Sequence, residues 1–236
     1  MTDHGMTERV GIVVFPGSNC DQDTIKAVAD LGATPRVLDY REQDLSGVDR
    51  LILPGGFSYG DYLRSGALAA AAPIMDAVAR AVEAGMPVLG ICNGFQILCE
   101  RGLLPGALLP NPHGEFVSRF ETVRVTSVPQ GFSGMAVGDL FTLPIAHHEG
   151  SYRVSEGALH QLFESGQVFL QYSDPSGVVH PLVNPNGSVA NIAGVASGSV
   201  VALMPHPERA MARYLGSADG ARFLQAWLGQ KGEAGC

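Results

Sequence analysis

The chain has little of the positive charge, and none of the long apolar runs, that mark nucleic-acid-binding and membrane proteins. Lysine and arginine total 15 residues against 23 aspartate and glutamate residues, which gives a net charge of −8. No basic run or basic–aromatic stripe occurs, so we expect no nucleic-acid partner. No run is long and apolar enough to span a bilayer, so we expect no membrane partner.

Cysteine is also scarce, and its spacing disfavours two common kinds of site. Cys20, Cys92, Cys99 and Cys236 show no paired metal-ligand spacing, so we expect no metal site. A disulfide framework is not expected in a chain of 236 residues, and a reducing compartment fits this cysteine usage. The first residues lack the basic and apolar regions of a signal peptide, so the sequence predicts a cytoplasmic protein.

The length of the chain allows one large domain or two small ones. No internal repeat or low-complexity linker divides the sequence. We therefore predict a single domain over residues 9–230, with flexible termini at 1–8 and 231–236.

Short apolar runs alternate with helical patterns in the first half of the chain, which is typical of a parallel sheet wrapped by helices. Strands are predicted at residues 10–15, 36–38, 51–53, 87–91 and 200–204, and helices at 21–31, 67–84, 159–165 and 218–228, the last capped by Ser217. Between about residues 116 and 200, shorter strands and turns replace the helical pattern. The sequence predicts an α/β fold with an open, mostly parallel, flavodoxin-like sheet, flanking helices and a β-rich insertion.

An apolar run that begins at Val88 stops at Cys92, between two glycines, and then becomes helical. Gly90 and Gly94 supply the small neighbours that a tight strand-to-helix turn needs, so this pattern predicts a nucleophile elbow. A helix that begins just after Cys92 favours a thiolate through the positive end of its dipole. A buried structural cysteine is the alternative, but glycines on both sides favour a catalytic thiol.

A thiolate nucleophile needs a histidine to move protons and a further group to orient that histidine. Two prolines, Pro205 and Pro207, flank His206 at the end of the last predicted strand and keep the backbone extended. An extended backbone places His206 and Glu208 on the same side. We predict a catalytic histidine oriented by a carboxylate; the alternative is an ordinary surface histidine in a solvated turn.

These motifs resemble those of the class I, triad-type glutamine amidotransferases. The likeness lies in the elbow at 90–96, the Pro-Gly-Gly loop at 54–56 and the strand end at 205–208. Within that superfamily, further segments resemble the glutaminase subunits of phosphoribosylformylglycinamidine synthases, namely residues 15–21, 55–67, 146–150 and 216–220. The resemblance extends from about Val10 to Trp227 and implies the class I glutamine amidotransferase fold.

The resemblance also implies a role for individual residues. Cys92 is expected to attack the side-chain amide of glutamine, while His206 moves protons and Glu208 orients its ring. The remaining implied residues are Gly55, Gly56 and Asn93, whose backbone amides hold the oxyanion, Gln96, His148 and Glu149 at the substrate, and Tyr59 and Arg64 in a loop that contacts a partner or closes the site. His148 stands where relatives commonly have glycine, and we interpret Cys20 and Cys99 as structural.

By this resemblance, the subunit hydrolyses glutamine to glutamate and ammonia through a cysteinyl thioester. It passes the ammonia to an ATP-dependent synthetase subunit that makes formylglycinamidine ribonucleotide from formylglycinamide ribonucleotide in purine biosynthesis. The expected partners are therefore glutamine, a large synthetase subunit and a small third subunit. The chain has no Walker-type phosphate loop and no dinucleotide fingerprint, so we expect no cofactor here and place ATP and magnesium on the synthetase subunit.

Three alternatives differ in what they require of the sequence. A glutaminase subunit of another synthase would use the same chemistry. A cysteine-elbow hydrolase on the same fold would lack the distant pair His206 and Glu208. A regulatory binding module with an inactive site is disfavoured because Cys92 and that pair are all present.

Overall fold

A nine-stranded sheet forms the centre of the protein in the computed structural model, which describes residues 7–230. The strands are β1 (Arg9–Val14), β2 (Thr34–Asp39), β3 (Arg50–Leu53), β4 (Val88–Ile91), β5 (Ala107–Leu109), β6 (Val117–Val125), β7 (Leu140–His147), β8 (Ser151–Arg153), β9 (Val168–Ser173), β10 (Ile192–Ser197) and β11 (Val200–Leu203). The helices are α1 (Asp21–Asp30), α2 (Ala67–Ala70), α3 (Ile74–Glu83), α4 (Asn93–Glu100), α5 (Glu156–Glu164) and α6 (Asp219–Trp227). Most of the two termini that we predict to be flexible lies outside the described residues.

The strand order in the central sheet is β2-β1-β3-β4-β11-β10-β9-β6-β7. The five strands from β2 to β11 are parallel to one another, and every pairing from β11 through β10, β9 and β6 to β7 is antiparallel. Strands β5 and β8 form a separate antiparallel pair. The predicted α/β sheet flanked by helices is confirmed, and the β-rich segment extends the same sheet. That residues 9–230 form a single domain stays a prediction.

The burial of each strand follows its sequence pattern. Strands β4 and β11 are buried along their whole length, as expected of central parallel strands that read as continuous apolar runs. Strand β7 alternates instead, so that Phe141, Leu143 and Ile145 are buried, and His147 follows them onto the same face. No helix in the described part of the chain is long and apolar enough to cross a membrane.

Two predictions about helices are wrong in detail. The single helix expected over 67–84 is two helices, because Pro73 has no backbone N–H to donate and disfavours a helical residue before it, so a new helix begins at Ile74. The N-cap of α6 is Ala218 rather than Ser217. The Ser217 hydroxyl still accepts a hydrogen bond from the Asp219 N–H at 3.1 Å, so it satisfies one donor of the first turn.

The parallel strands bring four loops to one edge of the sheet. Strands β1, β3, β4 and β11 are neighbours and parallel, so the segments that follow them meet at their carboxyl ends. Those segments contain the turn at 15–20, the loop at 54–56, Cys92, and the turn at 204–209. Every part of the predicted catalytic site therefore begins at this edge.

Candidate active site

Cys92 occupies a strained strand-to-helix turn. Its φ of 48° and ψ of −100° lie where non-glycine residues are rarely found, and α4 begins at the next residue. The Cys92 N–H donates to the Leu203 carbonyl at 2.8 Å, which ties the turn to β11. The side chain is buried, and its thiol donates to the Ala146 carbonyl at 3.7 Å. This geometry has the form of a nucleophile elbow.

The two glycines around Cys92 are required by packing. A Cβ at Gly94 would lie 1.9 Å from the Leu53 carbonyl oxygen, far inside contact distance. A Cβ at Gly90 would lie 2.5 Å from the Leu98 side chain and 2.9 Å from the Gly94 backbone. Helix α4 can therefore pack this closely on strands β3 and β4 only because these two positions carry no side chain.

His206 and Glu208 form a buried pair beside the elbow. His206 Nδ1 donates to Glu208 Oε1 at 2.6 Å, and the two residues are 1% and 3% exposed. The His206 N–H donates to the Pro144 carbonyl at 2.8 Å, which fixes this segment against β7. The pairing is as predicted, but its reason differs: residues Pro207–Arg209 form a one-turn 3-10 helix rather than extended backbone.

The surroundings of His206 favour its charged form. Burial alone opposes protonation of the ring, but the carboxylate of Glu208 and the sulfur of Cys92 outweigh it, so the pKa of His206 lies well above its usual value. Within residues 7–230, Nε2 of the ring has no hydrogen-bond partner. That atom is therefore available to take up or release a proton.

The residues predicted to hold the oxyanion lie near the elbow. Gly56 has a φ of +137°, and a Cβ there would lie 2.8 Å from the Asn19 backbone nitrogen. A Cβ at Gly55 would lie 2.6 Å from the His206 ring. Asn93 is the first residue of α4, where backbone N–H groups lack an intrahelical partner, and its side chain accepts from the Ser58 N–H at 3.4 Å. That the backbone amides of Gly55, Gly56 and Asn93 hold the oxyanion stays a prediction.

A small cavity of about 20 Å³ lies over Cys92. Gln96, His148 and Glu149 line it, as the resemblance implied, together with Gly56. Gln96 is held on both sides: the Asn93 amide donates to its Oε1 at 2.9 Å, and its Nε2 donates to the Glu149 carbonyl at 2.6 Å. This volume is small for a glutamine side chain, so we expect the wall to move when substrate binds.

The other two predicted residues lie outside this cavity. Tyr59 packs edge-on against Tyr40, with ring centroids 6.2 Å apart. Arg64 is exposed and pairs with Glu100 of α4, with Nε to Oε1 at 2.7 Å. Their loop reaches the cavity through Asp61 and Ser65 instead.

Asp61 was not predicted at the site, Cys20 was interpreted as structural, and His147 was expected near the pocket only as part of the segment at 146–150. Asp61 lines the cavity, its buried Oδ1 has no hydrogen-bond partner among the residues that the structure describes, and burial raises the pKa of its carboxyl. His147 also lines the cavity, where burial and the charge of His206 lower its pKa to about 4. Cys20 lies against the triad itself. The alternation of β7 was the available signal for His147, and the position after β1 at the same sheet edge was the signal for Cys20.

Cys20, His206 and Glu208 also form a set of atoms that could ligate a metal. The sulfur, imidazole and carboxylate atoms lie within 4.8 Å of one another. The carboxylate already accepts a hydrogen bond from the ring, and the Arg209 guanidinium donates to the sulfur at 3.0 Å. A cation at that sulfur would be repelled by the guanidinium, so absence of a metal stays our prediction.

Comparison with known proteins gives the family. The CobB/CobQ-like glutamine amidotransferase domain matches residues 7–227. Phosphoribosylformylglycinamidine synthase subunit PurQ of Thermomicrobium roseum is 54% identical, over 93% of this chain and 95% of that protein. The chain belongs to the PurQ family. A second PurQ, of Chlorobium luteolum, is 48% identical, over 94% of this chain and 97% of its own length.

A solved structure extends the PurQ similarity to three dimensions. A chain in the structure of PurLQS from Thermotoga maritima aligns with a TM-score of 0.82 and 40% identity, covering 94% of this chain and 98% of that one. The whole arrangement of sheet and helices is thus that of a PurQ-family glutamine amidotransferase.

Proposed function

We propose that this chain is the glutaminase subunit of a phosphoribosylformylglycinamidine synthase. One observation carries the chemistry: the buried pair of His206 and Glu208, 2.6 Å apart, lies beside a cysteine held in a strained elbow. Identity of about half to PurQ proteins over nearly their whole length supports the choice of synthase. The fold alone would fit several synthases.

The proposed reaction begins when the Cys92 thiolate attacks the side-chain carbonyl carbon of glutamine. The oxyanion that forms accepts hydrogen bonds from the backbone amides of Asn93 and the 55–56 loop. Protonated His206 gives a proton to the amide nitrogen, the C–N bond breaks, and ammonia leaves a glutamyl thioester. Neutral His206 then takes a proton from water, which attacks the thioester and releases glutamate and the Cys92 thiolate. Glu208 orients the ring and stabilises its charged form.

The ammonia is used on another polypeptide in this proposal. The related Thermotoga maritima structure is described as PurLQS, so we assign the chain a large synthetase partner and a small third subunit. ATP and magnesium act on the synthetase, which converts formylglycinamide ribonucleotide to formylglycinamidine ribonucleotide. Cys20, Cys92 and Cys99 are free thiols, which supports work in the reducing cytoplasm.

The test is a glutaminase assay of the chain alone and with its synthetase and small partner. We expect slow release of glutamate from the chain alone, because the cavity over Cys92 is small. With partners, ATP and formylglycinamide ribonucleotide, the rate should rise at least tenfold as binding opens and completes the site. The Cys92→Ala complex is the control for background hydrolysis. No glutamate release above that control in either state would overturn the proposal.

A further inference from the structure

Cys20 lies against the catalytic pair although it is far from both residues in sequence. Its sulfur lies within 4.8 Å of a ring nitrogen of His206 and of a carboxylate oxygen of Glu208. The residue is buried, and it is the N-cap of α1. Its carbonyl accepts from the Thr24 hydroxyl at 2.8 Å and from the Thr24 N–H at 3.0 Å. The backbone that carries the sulfur is therefore anchored to the first turn of α1.

Arg209 fixes the sulfur from the other side. Its Nη2 donates to Cys20 Sγ at 3.0 Å, and its Nε donates to Asp23 Oδ2 at 3.2 Å. Arg209 directly follows Glu208 in the same one-turn 3-10 helix. One guanidinium thus joins the start of α1 to the turn that carries the catalytic carboxylate.

The sulfur, the His206 ring and the Gly55 main chain share one small volume. A Cβ at Gly55 would lie 3.2 Å from Cys20 Sγ and 2.6 Å from the His206 ring. The neighbouring residues join in a short antiparallel bridge between Ser18 and Gly56. The turn before α1 is therefore packed directly on the loop that we assign to the oxyanion.

We propose that Cys20, held by Arg209, is a positioning residue that fixes the His206 ring and the Gly55 main chain in their reactive geometry. The proposal rests on the glutaminase function proposed above. Alanine at position 20 removes the sulfur that Arg209 contacts and enlarges the cavity that Cys20, His206 and Arg209 line. Because a shift of about 1 Å in such a group lowers rates up to about a hundredfold, the effect should fall on turnover.

The pH profile separates positioning from general stability. The titratable groups that face His206 are Glu208 and Arg209 on its own turn, Cys92 at the elbow, Cys20 before α1 and His147 at the end of β7. Burial lowers the pKa of His206, whereas Glu208, Cys92 and Cys20 raise it. Removal of Cys20 should therefore move the alkaline limb of the rate profile to lower pH, because protonated His206 must donate to the leaving nitrogen.

The experiment compares Cys20→Ala, Cys20→Ser and the control Cys99→Ala in the reconstituted complex, with wild type as reference. Cys99 is a buried free thiol on α4 whose sulfur contacts the Pro105 carbonyl. We expect Cys20→Ala to lower kcat roughly 10- to 100-fold with KM for glutamine within about twofold, and to shift the alkaline limb down. Cys20→Ser, which restores an acceptor for Arg209, should recover part of both. Cys99→Ala should match wild type.

Wild-type kcat and an unshifted limb in Cys20→Ala would overturn this inference while leaving the glutaminase function intact. Failure of the wild-type complex itself to release glutamate would remove both. If the position-20 variants do not fold, Arg209→Gln releases the sulfur from the half-exposed side of the same contact. Arg209→Gln should then show the lower kcat without a downward shift of the alkaline limb, because Cys20 stays beside the ring, and wild-type kcat in this variant would contradict the proposal.

Discussion

His206 lies in a buried site that stabilises the protonated, positively charged form of its ring. The Glu208 carboxylate accepts its Nδ1 proton, and burial of both residues keeps competing water away. A charged imidazole next to a cysteine is suited to donate a proton to a leaving nitrogen, which is the step that glutamine hydrolysis requires. The residue-scale chemistry thus depends on a two-residue spacing within one 3-10 turn.

We expect His206→Ala to lower glutaminase turnover roughly a hundredfold or more, in the range for general acid–base groups. Glu208→Gln should be milder, since an amide still accepts a hydrogen bond from the ring. It removes the charge that raises the pKa of His206, so activity should fall at lower pH than in wild type as the ring loses its proton. The measurement is kcat from pH 5 to 10. Near-normal turnover in His206→Ala would assign the proton transfer to His147 or His148.

His147 should make the stability of the protein depend on pH. Its pKa is lowered, whereas the pKa of His206 is raised. Burial holds its folded pKa at about 4, against 6.5 in the unfolded chain. As pH falls below 6.5, the unfolded chain takes up this proton first, so stability that is full above pH 6.5 is lost toward pH 4, by about 3 kcal/mol in total. Urea unfolding of His147→Gln should lose about 2 kcal/mol less than wild type between pH 7.5 and 5.

The matched control for that measurement is His160→Gln. His160 lies on α5 with its side chain 76% exposed, so its replacement should leave the loss of stability as in wild type. Equal losses in wild type and His147→Gln would show that His147 is not held neutral by burial.

At the scale of elements, the elbow depends on the close approach of helix α4 to strands β3 and β4, without side chains between them. Gly94→Ala places a methyl group 1.9 Å from the Leu53 carbonyl, so β3 and α4 must separate. We expect a loss of at least about 2 kcal/mol in the free energy of unfolding. Gly157→Ala is the control, since that helical glycine has open space around its Cα and its replacement should be neutral or stabilise by up to about 1 kcal/mol. Similar unfolding energies for both variants would contradict this packing.

The loop at 57–66 combines backbone strain with specific ties to the site. Tyr59, Asp61 and Leu63 all have positive φ, at 53°, 53° and 71°. The Ser65 N–H donates to Glu149 at 3.1 Å, and Arg64 holds the loop to α4. Strained residues beside this small cavity mark the loop as the part of the wall that we expect to move when glutamine binds.

Local sequence patterns predicted the strands and helices better than they predicted the long-range contacts between them. The elbow was predictable because its glycines, apolar strand and helix lie within nine residues, and the sheet because its strands are continuous apolar runs. The break in the 67–84 helix was missed although Pro73 marks it. The place of Cys20 could not be read from spacing, because Arg209 reaches it only after the chain has formed the whole sheet.

At the scale of the whole molecule, the parallel and the antiparallel parts of the sheet supply different parts of the site. The parallel strands carry Cys92, His206 and the loop at 54–56 at one edge, which we propose as nucleophile, base and oxyanion loop, whereas β7 from the antiparallel part supplies the wall with His147. Ammonia is liberated here and, in our proposal, consumed with ATP on a partner chain. The two half-reactions should therefore be separable by one substitution.

The most direct test of this account supplies nitrogen in two ways to a complex that carries Cys92→Ala. With glutamine, formation of formylglycinamidine ribonucleotide should be lost, because no thioester can form. With ammonium salt at high concentration, product formation should match that of the wild-type complex, because the synthetase needs only ammonia. If the assembled variant fails equally with both nitrogen donors, Cys92 is not a dedicated ammonia-releasing nucleophile and the account is wrong.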